Sequence, residues 1–479
     1  MKFIKKAMTQ EQKFKTFMDP GCSDWKKHHA SEMSKVIITP SVLSGTVQVP
    51  PSKSDVHRAV ICAALSKGVC RIAPVVFSND IKATVSCMQA LGASINYDMQ
   101  KKMLTVDGSN LFNTEKPLLN CGESGSTLRF LIPVAGTADI NTVFSGEGLL
   151  PQRPIDVLLG ELTKAGVFFE KKSKLNLPLQ MSGKLQSGRF ELPGNISSQF
   201  VTGLLFALPL LSEDSEIVLT SPIESKGYID MTIETMSRFG VSVQETEQGY
   251  FVHGKQQYKP TDYTAEGDWS QAAFFMVSGA LQGEITVLGV DYFNSKQGDK
   301  KIVDILKAFG AEVRQGDGPP VLHFKTEKQS PYFHIKKGKL NGITVDASQI
   351  PDLIPVIAVA AAKAQGTTNI INAGRLRLKE SDRLHAVAVA LNNIGAKVRE
   401  QPDGLIIEGT DSLKGGYVEG CNDHRIVMAL SIAGTVAEGN TIITDAFCIN
   451  KSYPSFFDDF GALGGNFTDL SLIDRRKYN

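Results

Sequence analysis

Leu384-His385-Ala386-Val387-Ala388-Val389-Ala390-Leu391-Asn392-Asn393-Ile394-Gly395-Ala396-Lys397-Val398-Arg399-Glu400-Gln401-Pro402-Asp403-Gly404-Leu405-Ile406-Ile407 contains the unit from which this chain is built. Leu384, Val387, Leu391 and Ile394 recur close to helical spacing. Gly395 then supplies the left-handed backbone that ends a helix without a Cβ clash. Ala396 to Arg399 and Leu405 to Ile407 are β-prone runs about Pro402-Asp403-Gly404, a tight-turn signal. The stretch therefore predicts helix, strand, turn, strand.

Working outward, the same ending occurs six times: Leu91-Gly92-Ala93, Ala165-Gly166-Val167, Phe239-Gly240-Val241, Phe309-Gly310-Ala311, Ile394-Gly395-Ala396 and Leu463-Gly464-Gly465. Successive glycines stand 69 to 85 residues apart, longer than common solenoid repeats. Helical spacing precedes the glycine again in Ile155, Leu158, Leu159 and Leu162, and in Ile302, Ile305, Leu306 and Phe309. Paired strands are expected about Gln248-Gly249 and about Gly316 and Gly318. A further strand and helix complete each unit. Six units in 479 residues divide into two groups of three, since a chain this long exceeds one core. The expected class is α/β.

Composition excludes several functions. Apolar residues make up 42% and charged ones 21%, as in a soluble globular protein, and the formal net charge of +1 argues against general nucleic-acid or membrane-surface binding. The longest apolar run, Phe200 to Leu211, is interrupted by Thr202, Gly203 and Pro209 and is too short to span a bilayer. Seven cysteines without a CxxC pair read as small hydrophobes of a reducing compartment, and eight histidines form no metal-ligand ladder. The Lys-rich residues 1–34 lack the apolar run of a signal peptide and read as a disordered extension.

The residues outside the repeat carry the chemistry. Pro50-Pro51-Ser52-Lys53-Ser54-Asp55-Val56-His57-Arg58 opens an apolar helix, with cations in the first turns, where free N–H groups favour an anion. Gly122-Glu123-Ser124-Gly125-Ser126-Thr127-Leu128-Arg129 has the look of a phosphate loop without being a P-loop. Arg153-Pro154, Ser197-Ser198-Gln199 and Ser225-Lys226-Gly227-Tyr228-Ile229-Asp230 each precede a helix. In the second half come Asp352, the cluster Arg375, Arg377, Lys379, Glu380, Asp382 and Arg383, then Asn422-Asp423-His424-Arg425 and Lys451. Singly, each has a bland reading as a cap or a solvated ion pair. Together they put Lys or Arg at helix starts again and again while net charge stays near zero. Three-fold groups that aim those ends at one cleft make a site for small polyanions.

In their order and types these motifs resemble the 5-enolpyruvylshikimate-3-phosphate synthase family of enolpyruvyl transferases, from about Val36 to the C-terminus. The resemblance implies two domains, each of three βαβαββ units with pseudo-three-fold symmetry, and an active site between them. Chain crossings are expected near Pro50–Ser52 and Thr264–Gly267, giving 52–265 as one domain and 35–51 with 266–479 as the other. It implies transfer of the enolpyruvyl group of phosphoenolpyruvate to the 5-hydroxyl of shikimate 3-phosphate, with release of phosphate. Asp352, Glu380, Lys53 and His424 are the implied catalytic groups. The shikimate-phosphate side is implied to take Lys53, Ser54, Arg58, Ser197, Ser198, Gln199, Ser225, Tyr228, Asp352, Arg375 and Lys379. The phosphoenolpyruvate side is implied to take Lys53, Gly125, Arg153, Gln199, Arg383, Arg425 and Lys451. No cofactor, metal, nucleic acid or membrane is implied, and the expected state is a cytoplasmic monomer.

Two places depart from the family's commonest pattern: Glu123-Ser124-Gly125-Ser126-Thr127 replaces Asn-Ala-Gly-Thr-Ala, keeping only the glycine, and Arg375 replaces Asn or Gln. A sister family uses UDP-N-acetylglucosamine as acceptor and carries Cys or Asp before its Arg-Pro. Leu149-Leu150-Pro151-Gln152 has neither. An RNA 3′-phosphate cyclase is disfavoured by the charge and the missing nucleotide-transfer His motif. A non-catalytic sugar-phosphate binding protein would explain the cations but not Asp352 and Glu380.

Overall fold

Each glycine that ends a repeat helix adopts the left-handed backbone expected of it: φ is +109° at Gly92, +92° at Gly166, +79° at Gly240, +106° at Gly310, +96° at Gly395 and +93° at Gly464. The structure, a computed structural model, describes residues 34–323 and 326–470. The segment expected to be an N-terminal extension lies, up to residue 33, outside the described residues.

The described residues contain twelve α-helices: α1 (Lys53–Leu65), α2 (Asn79–Ala90), α3 (Gly125–Gly136), α4 (Asp156–Lys164), α5 (Ser198–Ala207), α6 (Lys226–Arg238), α7 (Trp269–Leu281), α8 (Ile302–Phe309), α9 (Ile354–Ala362), α10 (Arg383–Asn393), α11 (His424–Thr435) and α12 (Phe456–Ala462). Even-numbered helices run into the repeat glycines. Odd-numbered ones form the interior, where α3 packs on α5, and α7, α9 and α11 pack on one another. Their sequences are apolar all round, as burial on every side requires. All of α7, α9 and α11 is buried, and in α1, α3 and α5 the exceptions are Lys53, Ser54, Ser126 and Gln199, each in the first turns.

Six four-stranded mixed sheets share one order. In the second unit Leu118–Asn120 is parallel to Thr142–Ser145, and a hairpin of Val167–Lys171 and Leu179–Gly183 joins antiparallel. With α3 and α4 between its strands, this is a βαβαββ unit. The first, fourth and sixth sheets borrow strands from distant parts of the chain. Val36–Thr39 lies between Thr441–Ile443 and Asn466–Asp469. Ser44–Gln48 pairs with Glu284–Leu288, and Tyr263–Thr264 with Val69–Ala73. Between these borrowed strands the chain passes over twice, and Pro51 bridges Gly267 where the passages touch. The apolar interior falls into two clusters, one from Val56 to Ala265, the other from Val36 to Val49 and Trp269 to Leu463. The fold is thus two three-unit α/β domains.

One hairpin differs from expectation. No turn forms at Gly316 and Gly318, because strand Glu312–His323 runs through both and pairs with Thr326–Lys336. A Cβ at Gly316 would lie 2.4 Å from the Tyr332 ring, so this glycine serves close approach instead of turning. Beyond Asp317 the register shifts, and the ladder continues.

Candidate active site

Five of the six interior helices begin at one cavity between the domains, supplying Lys53 and Ser54, Gly125 and Ser126, Ser197 to Gln199, Asp352, and His424 and Arg425. Local sequence sets these starts. Ser52 accepts from the N–H of Asp55, Ser124 from Thr127, Ser197 from Gln199 and Asp423 from Arg425. Asp268, the cap of α7, accepts from the N–H of Lys53 at 3.1 Å as well as from Gln271 at 3.0 Å, so one carboxylate ties both crossings together. Convergent N-termini, each worth about half a positive charge, favour anions before side chains contribute.

Side chains add to this field. Eight lysines and arginines line the cavity against three carboxylates, Asp80, Asp352 and Glu380, in a chain whose net charge is +1. Every residue expected at the site lies on this wall except Lys451. The wall also holds residues not expected there: Asp80, Ser126, Arg129, Phe130, Pro154, Ile196, Phe200 and Leu378. Arg129 stands in the quoted glycine-rich motif. Asp80, a lone acid in the first turn of α2, has no motif around it.

Asp352 is the hub. It lies in a short 3-10 turn, Pro351–Leu353, and its side chain caps no helix. Its carboxylate meets Arg383 at 2.7 Å, Arg425 at 3.1 Å and Lys379 at 3.5 Å, and the Tyr228 hydroxyl donates to it across the cleft at 2.9 Å. Burial would raise its pKa, but Arg425, Lys379 and Arg383 hold it well below the usual carboxylate range. Glu380 is similar: burial opposes ionisation, yet Arg383 and Arg153 keep it well below normal. Arg383 donates to Glu380 at 2.7 Å and Arg153 lies 3.6 Å from it. Arg383 is almost wholly buried, and a third carboxylate, Asp423, accepts from its Nε at 2.7 Å. By contrast, Arg377 of the same motif pairs near the surface with Asp382 and Glu400, the bland reading of that cluster.

Lys379 is pushed down to about 8 by burial, which its neighbour Asp352 only partly offsets. Burial, with Lys53 and Arg425 nearby, keeps His424 neutral, and neither of its ring nitrogens has a hydrogen-bond partner among the described residues. Lys53 pairs with Asp80 at 2.7 Å. Arg129 donates to Gln199 at 2.7 Å, and Arg58 joins α1 to α6 through the Thr232 hydroxyl at 2.8 Å. Arg375, in the position that departs from the family pattern, reaches across to Glu224 at 2.7 Å and donates to Ser225 at 2.5 Å. Lys451 is buried away from the cavity, against Glu123 at 2.8 Å. No cluster of three or more metal-ligating side chains occurs among the described residues, and no described helix is long and apolar enough to cross a membrane.

Comparison with known proteins bears on the fold and the family. The chain is 44% identical to the 3-phosphoshikimate 1-carboxyvinyltransferase of Clostridium novyi over 92% of its own length and 100% of the relative's. It is 46% identical to the enzyme of that name from Clostridium perfringens, over 90% of this chain and 99% of the other. An EPSP synthase structure from Acinetobacter baumannii superposes with a TM-score of 0.76 at 25% identity, over 91% of this chain and 99% of that one. An enolpyruvyl transferase from Streptomyces tendae shares the fold at 16% identity, with a TM-score of 0.71 and the same shares covered. The family model described as EPSP synthase (3-phosphoshikimate 1-carboxyvinyltransferase) matches residues 37–460, and the chain belongs to that family.

Proposed function

We propose that this chain transfers the enolpyruvyl group of phosphoenolpyruvate to the 5-hydroxyl of shikimate 3-phosphate, as a cytoplasmic monomer needing no cofactor. The observation that carries this reading is the concentration of eight cations around two deeply set carboxylates, Asp352 and Glu380, at converging helix starts. Cations suit two anionic substrates that repel each other in water, and holding both in register removes most of the entropic barrier to their meeting. The domain limits proposed are 52–265 and 35–51 with 266–479, which follow the two apolar clusters.

In this reading Ser54, Arg58, Ser197, Ser198, Ser225, Tyr228, Arg375 and Lys379 hold the shikimate phosphate. Gly125, Arg153, Arg383, Arg425 and Lys451 hold the phosphoenolpyruvate, Lys53 and Gln199 face both, and Asp352 meets the acceptor. The acceptor oxygen attacks C2 of phosphoenolpyruvate and gives its proton towards Asp352. C3 takes a proton from Glu380, forming a tetrahedral adduct. Loss of phosphate, which carries off the proton held by Asp352, with return of the C3 proton to Glu380, forms the enol ether. Substrate anions that engage Arg383, Arg425 and Arg153 weaken the hold of those cations on both carboxylates, raising their pKa towards the range of proton exchange. Neutral His424 is placed to hydrogen-bond a ligand through either ring nitrogen.

Lys53→Met and Asp352→Asn test the assignment. Each is expected to cut kcat by about 10²- to 10⁴-fold with an unchanged thermal midpoint. A rate like that of the parent enzyme in either variant removes that residue from the mechanism.

A further inference from the structure

Glu123 occupies the one expected cation that the cavity wall lacks. Its Oε2 lies 2.8 Å from the Lys451 ammonium and accepts from the Asn422 side-chain amide at 3.0 Å, while the Asn422 carbonyl takes the same ammonium at 2.6 Å. Glu123 comes from the first domain, Lys451 and Asn422 from the second. The carboxylate has a niche of its own. It stands just ahead of Ser124, the cap of α3, where the helix end favours negative charge. Gly148, with φ +57°, leaves it room: a Cβ there would sit 2.6 Å from Oε2. Burial would lower the Lys451 pKa, but Glu123, with Cys448 and Asp423 nearby, raises it above its usual value, so the ammonium stays charged. Lys451 is 7% exposed but Glu123 31%, so the carboxylate is the member free to swing away. Gly125 and Arg153, two residues away in sequence and beside the loop, place the cavity's anion-binding corner next to it.

We propose that Glu123 is an internal competitor for the phosphate-bearing donor, holding Lys451 until the donor's anion displaces it. The proposal rests on the reading of Lys451 as a donor ligand. Carboxylate and phosphate compete for one ammonium, so part of the donor's binding energy is spent in breaking the Glu123 pair. Glu123 thereby sets donor affinity without touching the reacting atoms. A latch that merely closed the domains would act oppositely, since its loss would weaken both substrates and slow turnover.

Steady-state kinetics of Glu123→Gln, Lys451→Met and the double variant separate these cases. The proposal expects Glu123→Gln to lower the KM for phosphoenolpyruvate by about two- to fivefold, the worth of a partly exposed ion pair, without loss of kcat. Lys451→Met alone raises that KM, and in its background the Glu123 substitution has no further effect. Should Lys451→Met raise the donor KM while Glu123→Gln leaves it unchanged or raises it, the competitor is refuted and Lys451 keeps its role. A donor KM indifferent to Lys451→Met refutes that role, and the competitor with it.

Discussion

Around Asp352, single side chains decide what the site can do. Three cations and a tyrosine hydroxyl keep its carboxylate ionised, and the same arginine, Arg383, serves Glu380 and Asp423. Gly125 shows how little space remains: a Cβ there would sit 2.8 Å from Arg153 Nη1 and 3.2 Å from Arg129 Nη1. Gly125→Ala is therefore expected to displace Arg153 and raise the KM for phosphoenolpyruvate by about ten- to hundredfold, with the acceptor's changed far less. Equal effects on both substrates would show that Arg153 is not where the methyl acts. Lys379 supplies a pH test. Its pKa is lowered from the usual 10.5 to about 8, so above about pH 8 the folded chain loses a proton that the unfolded chain still binds. Its contribution to stability rises with pH in that window, but its charge is lost to the acceptor. Acceptor KM should thus climb between about pH 8 and pH 9 and stop doing so in Lys379→Met. A climb that persists in the variant assigns the titration elsewhere. Sequence motifs marked Lys379 and Gly125, because each stands in a run of distinctive residues. Asp80 was not legible, since its meaning comes only from the Lys53 ammonium that folding brings to it.

Among elements, the helix caps carry the argument. The six glycine endings were readable because a left-handed backbone is a local requirement that a single residue type meets cheaply. Ser124 was hidden in a run that reads as a glycine-rich loop, but helix starts at Ser52, Ser197 and Asp423 were readable from local caps. Strand partners were not. That Val36–Thr39 completes a sheet with Asn466–Asp469 depends on pairing across nearly the whole chain, which no local pattern encodes. The hairpin at Gly316 and Gly318 misled for a related reason: a glycine permits a turn, but the Tyr332 ring beside it decides otherwise. Asp268 is the element whose loss reaches furthest, because it caps α7 and also receives the first N–H of α1. Asp268→Ala is expected to cost about 1–2 kcal/mol in denaturant unfolding and to raise both substrate KM values by loosening Lys53. Lost stability with unchanged kinetics would confine Asp268 to a capping role.

For the whole molecule, the decisive fact is that the charge is local. A chain of net charge +1 gathers eight cations at one cavity: Lys53, Arg58, Arg129 and Arg425 come on interior helices that begin there, and Arg153, Arg375, Lys379 and Arg383 from the segments beside them. The domains meet through Arg375 with Glu224 and Ser225, Tyr228 with Asp352, and Lys451 and Asn422 with Glu123. Arg375, Ser225, Tyr228 and Asp352 lie on the cavity wall, so their contacts close over it, and closure of this kind keeps water from reactive adducts. Family membership points to one acceptor chemistry, and acceptor-dependent phosphate release tests it most directly. Phosphoenolpyruvate is supplied with either shikimate 3-phosphate or UDP-N-acetylglucosamine, and inorganic phosphate is measured. The account predicts release with shikimate 3-phosphate, mole for mole with acceptor consumed, and none with the UDP-sugar. Release with the UDP-sugar alone, or with neither acceptor, would contradict it.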